Sequence, residues 1–230
     1  MAMYDLYPAA AWLRGHAIRT GEPDIPAQLL EKPLETLTKE ELSAIVSRGE
    51  LSGQKLYPFK ADKETLPRVR RVLGFLMGTE FDSLVDVGSG RGVFLLPFLE
   101  AFPWVEVTSV DLQEKWVTFL QELSLGGFHK LAATRVDFCQ DPFRENSADV
   151  VTMLEVLEHM PSPELAVQAA VRTARKYVVV SVPSKEDNNP EHLHLLTKEK
   201  LTNMFRDAGC TRLHFDGVNG HLILFAGVDK

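Results

Sequence analysis

From residue 83 onward, short apolar runs of strand length alternate with stretches in which apolar residues recur every three or four positions. The strand-like runs lie at 84–87, 106–110, 131–136, 149–154 and 177–182. Helical periodicity follows at about 93–101, 113–123, 163–174 and 197–208. Strands separated by helices predict a parallel sheet covered on both faces. The last two runs, 212–215 and 221–226, are joined only by Asp216-Gly217-Val218-Asn219-Gly220. That connection is too short for a crossover helix and predicts an antiparallel hairpin. The expected class is therefore α/β: a doubly wound, mostly parallel seven-stranded sheet with an antiparallel C-terminal hairpin strand.

Residues 1–65 lack this alternation and read as an N-terminal helical extension, placed as a lid over the sheet's C-terminal edge, ahead of a main domain at 66–230. A short helix is expected over 9–18, then a proline-punctuated linker over 21–26. Thr38-Lys39-Glu40-Glu41 is a capping box that opens a helix over about 39–48, with Gly49 as its left-handed stop. Thr65-Leu66-Pro67 opens another, with Leu66, Val69, Leu73 and Leu76 on one face.

The first strand runs into Asp86-Val87-Gly88-Ser89-Gly90-Arg91-Gly92. Glycines in alternation let the backbone turn sharply and remove every Cβ between loop and ligand, while the next helix aims unpaired N–H groups into the same space. A dinucleotide fingerprint needs glycine at position 93, which is Val93, so the nicotinamide and flavin readings lose their best support. The 230 residues suffice for one such domain, and 45% hydrophobic with 25% charged residues is ordinary for a globular chain. No apolar run of membrane length and no signal-peptide pattern occurs, so the expectation is a cytoplasmic protein with no membrane partner. Cys139 and Cys210 form no CxxC pair, which argues against a disulfide framework or zinc ribbon. The formal charge of −7 speaks against general polyanion binding. Locally, though, residues 45–71 carry seven basic side chains (Arg48, Lys55, Lys60, Lys63, Arg68, Arg70, Arg71) against three acids.

With the glycine loop, Ser109-Val110-Asp111-Leu112, Val136-Asp137-Phe138, the lead from Asp141-Pro142-Phe143 into Asp149-Val150-Val151, and the terminal hairpin, residues 65–230 resemble a class I S-adenosylmethionine-dependent methyltransferase. The resemblance implies a Rossmann-like sheet and S-adenosylmethionine as cofactor. It departs at Ala148, where relatives often carry an aromatic residue. The resemblance implies that Asp86 anchors the methionine ammonium end through water or orders the loop backbone, with Gly88, Ser89, Gly90 and Gly92 among the cofactor-binding residues. Asp111 lies 23 residues after Gly88; it would accept from the ribose hydroxyls, beside Leu112, unless it is merely a solvated turn acid. Asp137 would accept from the adenine amino group with Phe138 as apolar wall, a part that Asp141 could also play.

Methyl transfer to a hydroxyl requires loss of a proton, hence a base or a metal near the end of the fourth strand. If the chain turns helical after Leu154, Glu155, Glu158 and His159 share one face at i, i+3 and i+4, and His192 follows the fifth strand. This ExxEH arrangement is similar to that of ubiquinone-pathway O-methyltransferases and, with the later Glu191-His192 before Thr197, to that of small-RNA 2′-O-methyltransferases, which implies a divalent cation (Mn, Fe, Co, Zn or Mg) on Glu155, Glu158, His159 and His192. The alternatives are His159 as a metal-free base, with Glu155 beside the cofactor, or a structural loop. His194 reads as packing or surface, and His16, His129, His214 and His221 have no partners in sequence. The leading function is O-methylation of a small-molecule acceptor. The alternatives are an RNA 2′-O-methyltransferase and a catalytically silent cofactor-binding module. Oligomeric state is not encoded in these patterns.

Overall fold

A computed structural model describes residues 4–60, 65–140, 143–186 and 188–228. Lys63 and Asp141, both singled out above, lie outside the described residues. The elements run α1 (Leu6–Thr20), α2 (Ala27–Glu31), α3 (Lys39–Leu51), α4 (Pro67–Met77), β1 (Ser83–Val87), α5 (Leu95–Ala101), β2 (Glu106–Asp111), α6 (Glu114–Gly126) and β3 (Leu131–Arg135). They continue through β4 (Ala148–Leu154), α7 (Pro163–Thr173), β5 (Ala174–Pro183), α8 (Lys198–Asp207), β6 (Arg212–Val218) and β7 (His221–Gly227).

The strands form one seven-stranded sheet in the order β3-β2-β1-β4-β5-β7-β6. β1 to β5 are mutually parallel, and β7 inserts antiparallel between β5 and β6. Alternation decides which side chain joins which core. Leu84, Val150, Val179 and Ile223 pack with α1, α3, α4, α5 and α6 on one face, while Val85, Val151, Val180 and Leu224 pack with α7 and α8 on the other. The hairpin turn is tighter than expected: both strands extend until only Asn219 (φ 43°) and Gly220 (φ 84°) remain between them, the left-handed pair that a two-residue hairpin demands.

The capping box forms as expected: Thr38 Oγ1 accepts from the Glu41 amide, and the Glu41 carboxylate accepts from the Thr38 amide at 2.7 Å. Gly49, however, does not stop α3, which continues to Leu51. A Cβ on Gly49 would lie 2.5 Å from the Leu13 side chain, so the glycine serves close packing of α3 on α1. Leu66 is exposed, and Val72 takes its place on the buried face of α4.

The described part of the extension packs into the core beside α6. α1 lies along α6, with glycines at both crossings: a Cβ on Gly15 would meet the Glu122 carbonyl oxygen at 1.8 Å, and one on Gly126 would meet that of Ala11 at 1.7 Å. Ala9, Ala10, Ala11 and Leu13 are fully buried in the same core as Leu120 and Leu123. Arg14 donates to the carbonyls of Leu30 and Lys32 at 2.8 and 2.6 Å. Buried Glu122 accepts from His16 at 2.8 Å and from the Arg19 guanidinium. Buried residues on both sides of residue 65 share one core; Asp5, Pro8 and the stretch around Tyr57–Phe59 line a cavity with Arg91 and Gly92 of the glycine loop, where Arg91 lies 5.6 Å from the Tyr57 ring. No helix among the described residues is long and apolar enough to cross a membrane.

Candidate functional site

The loop after β1 is built as a cradle. Gly88, Gly90 and Gly92 have φ of 69°, 53° and 78°, left-handed values that disfavour any residue with a Cβ. A Cβ on Gly88 would press on Val156 at 2.6 Å. The backbone is pinned from three sides. The Gly88 amide donates to the Val110 carbonyl at 2.7 Å, Ser109 Oγ donates to Ser89 Oγ at 2.7 Å, and Ser89 Oγ donates to the Asp86 carbonyl at 3.1 Å. α5 starts at Leu95, after turns, rather than directly at the loop as expected.

Asp86 is buried beneath this loop and its carboxylate accepts from Thr152 Oγ1 at 2.6 Å. Burial pushes its pKa up to about 6; hydrogen bonds from Ser89 and Thr152 pull the other way, and Asp111 adds repulsion. Asp111 ends β2 with Oδ2 accepting from the Gly90 amide at 3.0 Å and Oδ1 from the Gln113 amide at 2.8 Å. A carboxylate has about four acceptor positions, so two remain after these bonds. Asp137 caps a short turn: Oδ1 accepts from the Cys139 amide at 3.0 Å and Oδ2 from Gln140 Nε2 at 2.9 Å, with Phe138 buried behind it.

Two cavities meet over the strand ends. One of about 800 Å³ is lined by Asp111, Leu112, Asp137 and Phe138; the other, of about 510 Å³, by Asp86, Ser89, Arg68 and Arg91. Gly88, Gly90, Trp116, Glu155, His159 and Glu191 line both, so they mark the junction.

The expected helical face after Leu154 does not form. Glu155 has φ 59°, and only Leu157–His159 make a 3-10 turn, so the i, i+3, i+4 geometry is lost. Glu155 turns instead to Ser181 (Oγ to Oε1, 2.7 Å), His221 (Nδ1 to Oε2, 2.9 Å) and Arg68 (Nε to Oε1, 3.8 Å). Glu158, His159 and His192 do converge, with ligand atoms within 4.8 Å of one another, and Glu158 is buried. The predicted four-residue donor set is therefore three. His159 Nδ1 is 2.9 Å from the Glu191 carbonyl oxygen. A carbonyl only accepts, so Nδ1 carries the proton, and in the neutral ring Nε2 holds a lone pair.

Sequence reasoning missed Arg68, Trp116 and His221 as residues of this site. Arg68 appears in the sequence only as one of seven basic residues. His221 is delivered by register alone, since it pairs with Pro183 at the end of β5. His16, also without a sequence partner, proves to be structural through Glu122.

Residues 85–180 match the family described as a methyltransferase domain. A 134-residue stretch is 31% identical to ribosomal RNA small subunit methyltransferase G of Streptococcus pyogenes serotype M12, covering 56% of this chain and 53% of that protein. The chain thus spans about half the length of the curated relatives it matches. Among solved structures, a SAM-dependent methyltransferase from Aquifex aeolicus is 22% identical with TM-score 0.58, covering 70% of this chain and 89% of that one. A phosphoethanolamine N-methyltransferase 2 from Haemonchus contortus, in complex with phosphomonomethylethanolamine and S-adenosylhomocysteine, is 12% identical with TM-score 0.59, covering 70% and 52%. Family match, relatives and fold together support a class I S-adenosylmethionine-dependent methyltransferase domain built around residues 85–180. Within that class it carries the fold's full sheet, including the reversed β7.

Proposed function

We propose that this chain methylates a hydroxyl of a small-molecule acceptor, with His159 as general base. The observation that carries the reading is the bond from His159 Nδ1 to the Glu191 carbonyl, which turns Nε2 into a proton acceptor at the cavity junction. The cofactor supplies an electrophilic methyl group, and the cradle that a Cβ on Gly88 would fill fits it. In this reading Asp111 accepts from the ribose hydroxyls, and Asp137 with Phe138 holds the adenine. Asp86 and Arg68 offer opposite charges to the ammonium and carboxylate of the methionine end. The work left to the chain is to hold the nucleophile in line, exclude water and receive one proton.

Glu158, His159 and His192, a buried carboxylate with two imidazoles, fit a divalent cation of the Mn²⁺, Fe²⁺, Co²⁺ or Zn²⁺ type better than Mg²⁺. Bound there, such an ion would take the His159 Nε2 lone pair and so replace His159 as base, supplying Lewis acidity toward the acceptor hydroxyl instead.

The test is mass spectrometry of cell extract incubated with the enzyme and methyl-labelled S-adenosylmethionine. A labelled small-molecule methyl ether is expected, and His159→Ala should lower its rate by about 10²–10⁴ while S-adenosylhomocysteine still binds. Full rate in the His159→Ala variant overturns the base assignment. Excess chelator then separates the metal-assisted route, which stops, from the metal-free one, which continues.

A second reading, an RNA acceptor, draws on the ribosomal RNA methyltransferase relative and on Tyr57, whose half-exposed ring lies 5.6 Å from Arg91 and 5.8 Å from the Lys60 ammonium. Under that reading the label enters the RNA fraction, and binding falls about 10³-fold or more between 50 and 200 mM salt if six or more phosphates are contacted.

A further inference from the structure

Glu155 leaves β4 in a left-handed conformation, φ 59°, which a residue with a Cβ adopts only where its surroundings hold it. Three elements do so. On β5, Ser181 Oγ donates to Oε1 at 2.7 Å while the Ser181 carbonyl accepts from the Glu155 amide at 2.8 Å. On α4, Arg68 Nε lies 3.8 Å from Oε1. On β7, His221 Nδ1 lies 2.9 Å from Oε2. A bare lone pair on Nδ1 facing a carboxylate at that distance would be repelled, so Nδ1 carries the proton. The ring N–H is not aligned on the oxygen, and the contact steers the carboxylate by charge and dipole rather than as a straight hydrogen bond. The same hairpin also anchors the loop that bears Glu191, because the Gly220 carbonyl accepts from the Ser184 amide at 2.8 Å.

We infer that His221 is a positioning residue of the acceptor site: with Arg68 it holds the Glu155 carboxylate at the cavity junction, where that carboxylate accepts a hydrogen bond from a second O–H or N–H of the acceptor, beside the hydroxyl that is methylated. The inference rests on the methyl-transfer reading above and divides the labour at the junction. Glu155 orients the acceptor, and His159 Nε2 receives its proton. Both Glu155 oxygens already face Ser181, Arg68 and His221, whereas His159 Nε2 holds a lone pair at the junction, so the proton is assigned to His159. The predicted acceptor therefore carries two donors: one held by Glu155, and one hydroxyl whose oxygen bonds the methyl carbon as the sulfur–methyl bond breaks and whose proton passes to His159.

The test uses the full chain with S-adenosylhomocysteine bound. Nitrogen-15 NMR should find His221 protonated on Nδ1, with a resonance that moves in Glu155→Gln and vanishes in His221→Asn. In transfer of label from S-adenosylmethionine to acceptors of a cell extract, His221→Ala should lose at least about tenfold in rate. Its affinity for S-adenosylhomocysteine, by calorimetry, should stay within about twofold. His221→Asn, which keeps an N–H near the lost Nδ1, should recover most of the rate. An Nε2–H tautomer with Nδ1 bare overturns the inference. So does a His221→Ala variant that transfers at full rate, or one that loses cofactor binding and transfer in equal measure. If the wild-type chain labels nothing in any extract, methyl transfer itself fails, and the NMR result still decides the contact between His221 and Glu155.

Discussion

Asp86 shows how a single side chain couples burial to ligand binding. Its pKa stands at about 6 against an ordinary 3.8, raised by burial. Between those values the folded chain binds a proton that the unfolded chain has released. The stabilisation is therefore complete below about pH 4 and lost as pH rises through about 6, a change of about 3 kcal/mol. Asp86→Asn keeps an acceptor for Thr152 without the buried charge. Chemical denaturation should find it level with wild type near pH 4 and more stable by about 1–3 kcal/mol at pH 7. Cofactor binding should run the other way: calorimetry of the wild type should show affinity rising from pH 5 to 7 as the carboxylate ionises, and Asp86→Asn should flatten that rise. A flat wild-type profile would remove Asp86 from the ammonium site. At Asp111 the expectation is simpler. Loss of two charge-assisted hydrogen bonds to a ribose, each worth about 1.5–3 kcal/mol, should weaken S-adenosylhomocysteine by at least about 30-fold in Asp111→Ala. Because its carboxylate also holds the Gly90 and Gln113 amides, part of that loss will come from a loosened loop.

At the scale of elements, the glycines separate those that permit close approach from those that do not. Gly126 sits where a Cβ would overlap the Ala11 carbonyl oxygen, and Gly74, within α4, has nothing within 4 Å. Gly126→Ala should therefore push α1 off α6 and cost about 3 kcal/mol, visible as a melting temperature lowered by about 6–12 °C. Gly74→Ala should raise stability by about 0.5–1 kcal/mol, since it only removes a poor helix former from an open face. Equal effects would mean that α1 and α6 do not pack as described. The same contrast explains what was legible. Capping at Thr38 and helix entry at Pro67 are local chemistry, and both were readable from a few adjacent residues. Gly49 looked like a helix stop because its true reason, the Leu13 side chain, lies in another helix. The helical face proposed for Glu155, Glu158 and His159 failed similarly. Ser181, Arg68 and His221 reach Glu155 from three other elements and hold it out of helical conformation.

For the molecule as a whole, period-2 and period-3.6 patterning carried the sheet, its helices and the reversed last strand, since those depend on each segment's own sequence. The carboxylates at the strand ends, Asp86 and Asp111, were legible for the same reason. Not legible was the fate of α1, because its destination is a surface of α6 that only the assembled sheet presents. A lid would be dispensable for folding, whereas a wall of the core would not. Ala9, Ala10, Ala11, Leu13 and Ile45 are fully buried, in one core with Leu120 and Leu123 of α6. Removal of the extension would strip cover from both leucines and leave Glu122 without His16 and Arg19, a buried carboxylate deprived of its partners. Such a loss alone typically costs about 3–5 kcal/mol, a large part of the 5–15 kcal/mol that holds a domain folded. A fragment spanning 66–230 should therefore bind hydrophobic dye, lack a cooperative thermal transition and fail to bind S-adenosylhomocysteine. Co-expression with a separate 1–65 peptide should restore both, because the contacts are between surfaces and need no covalent link. A fragment that melts cooperatively and binds cofactor with wild-type affinity would return the extension to the status of an appendage.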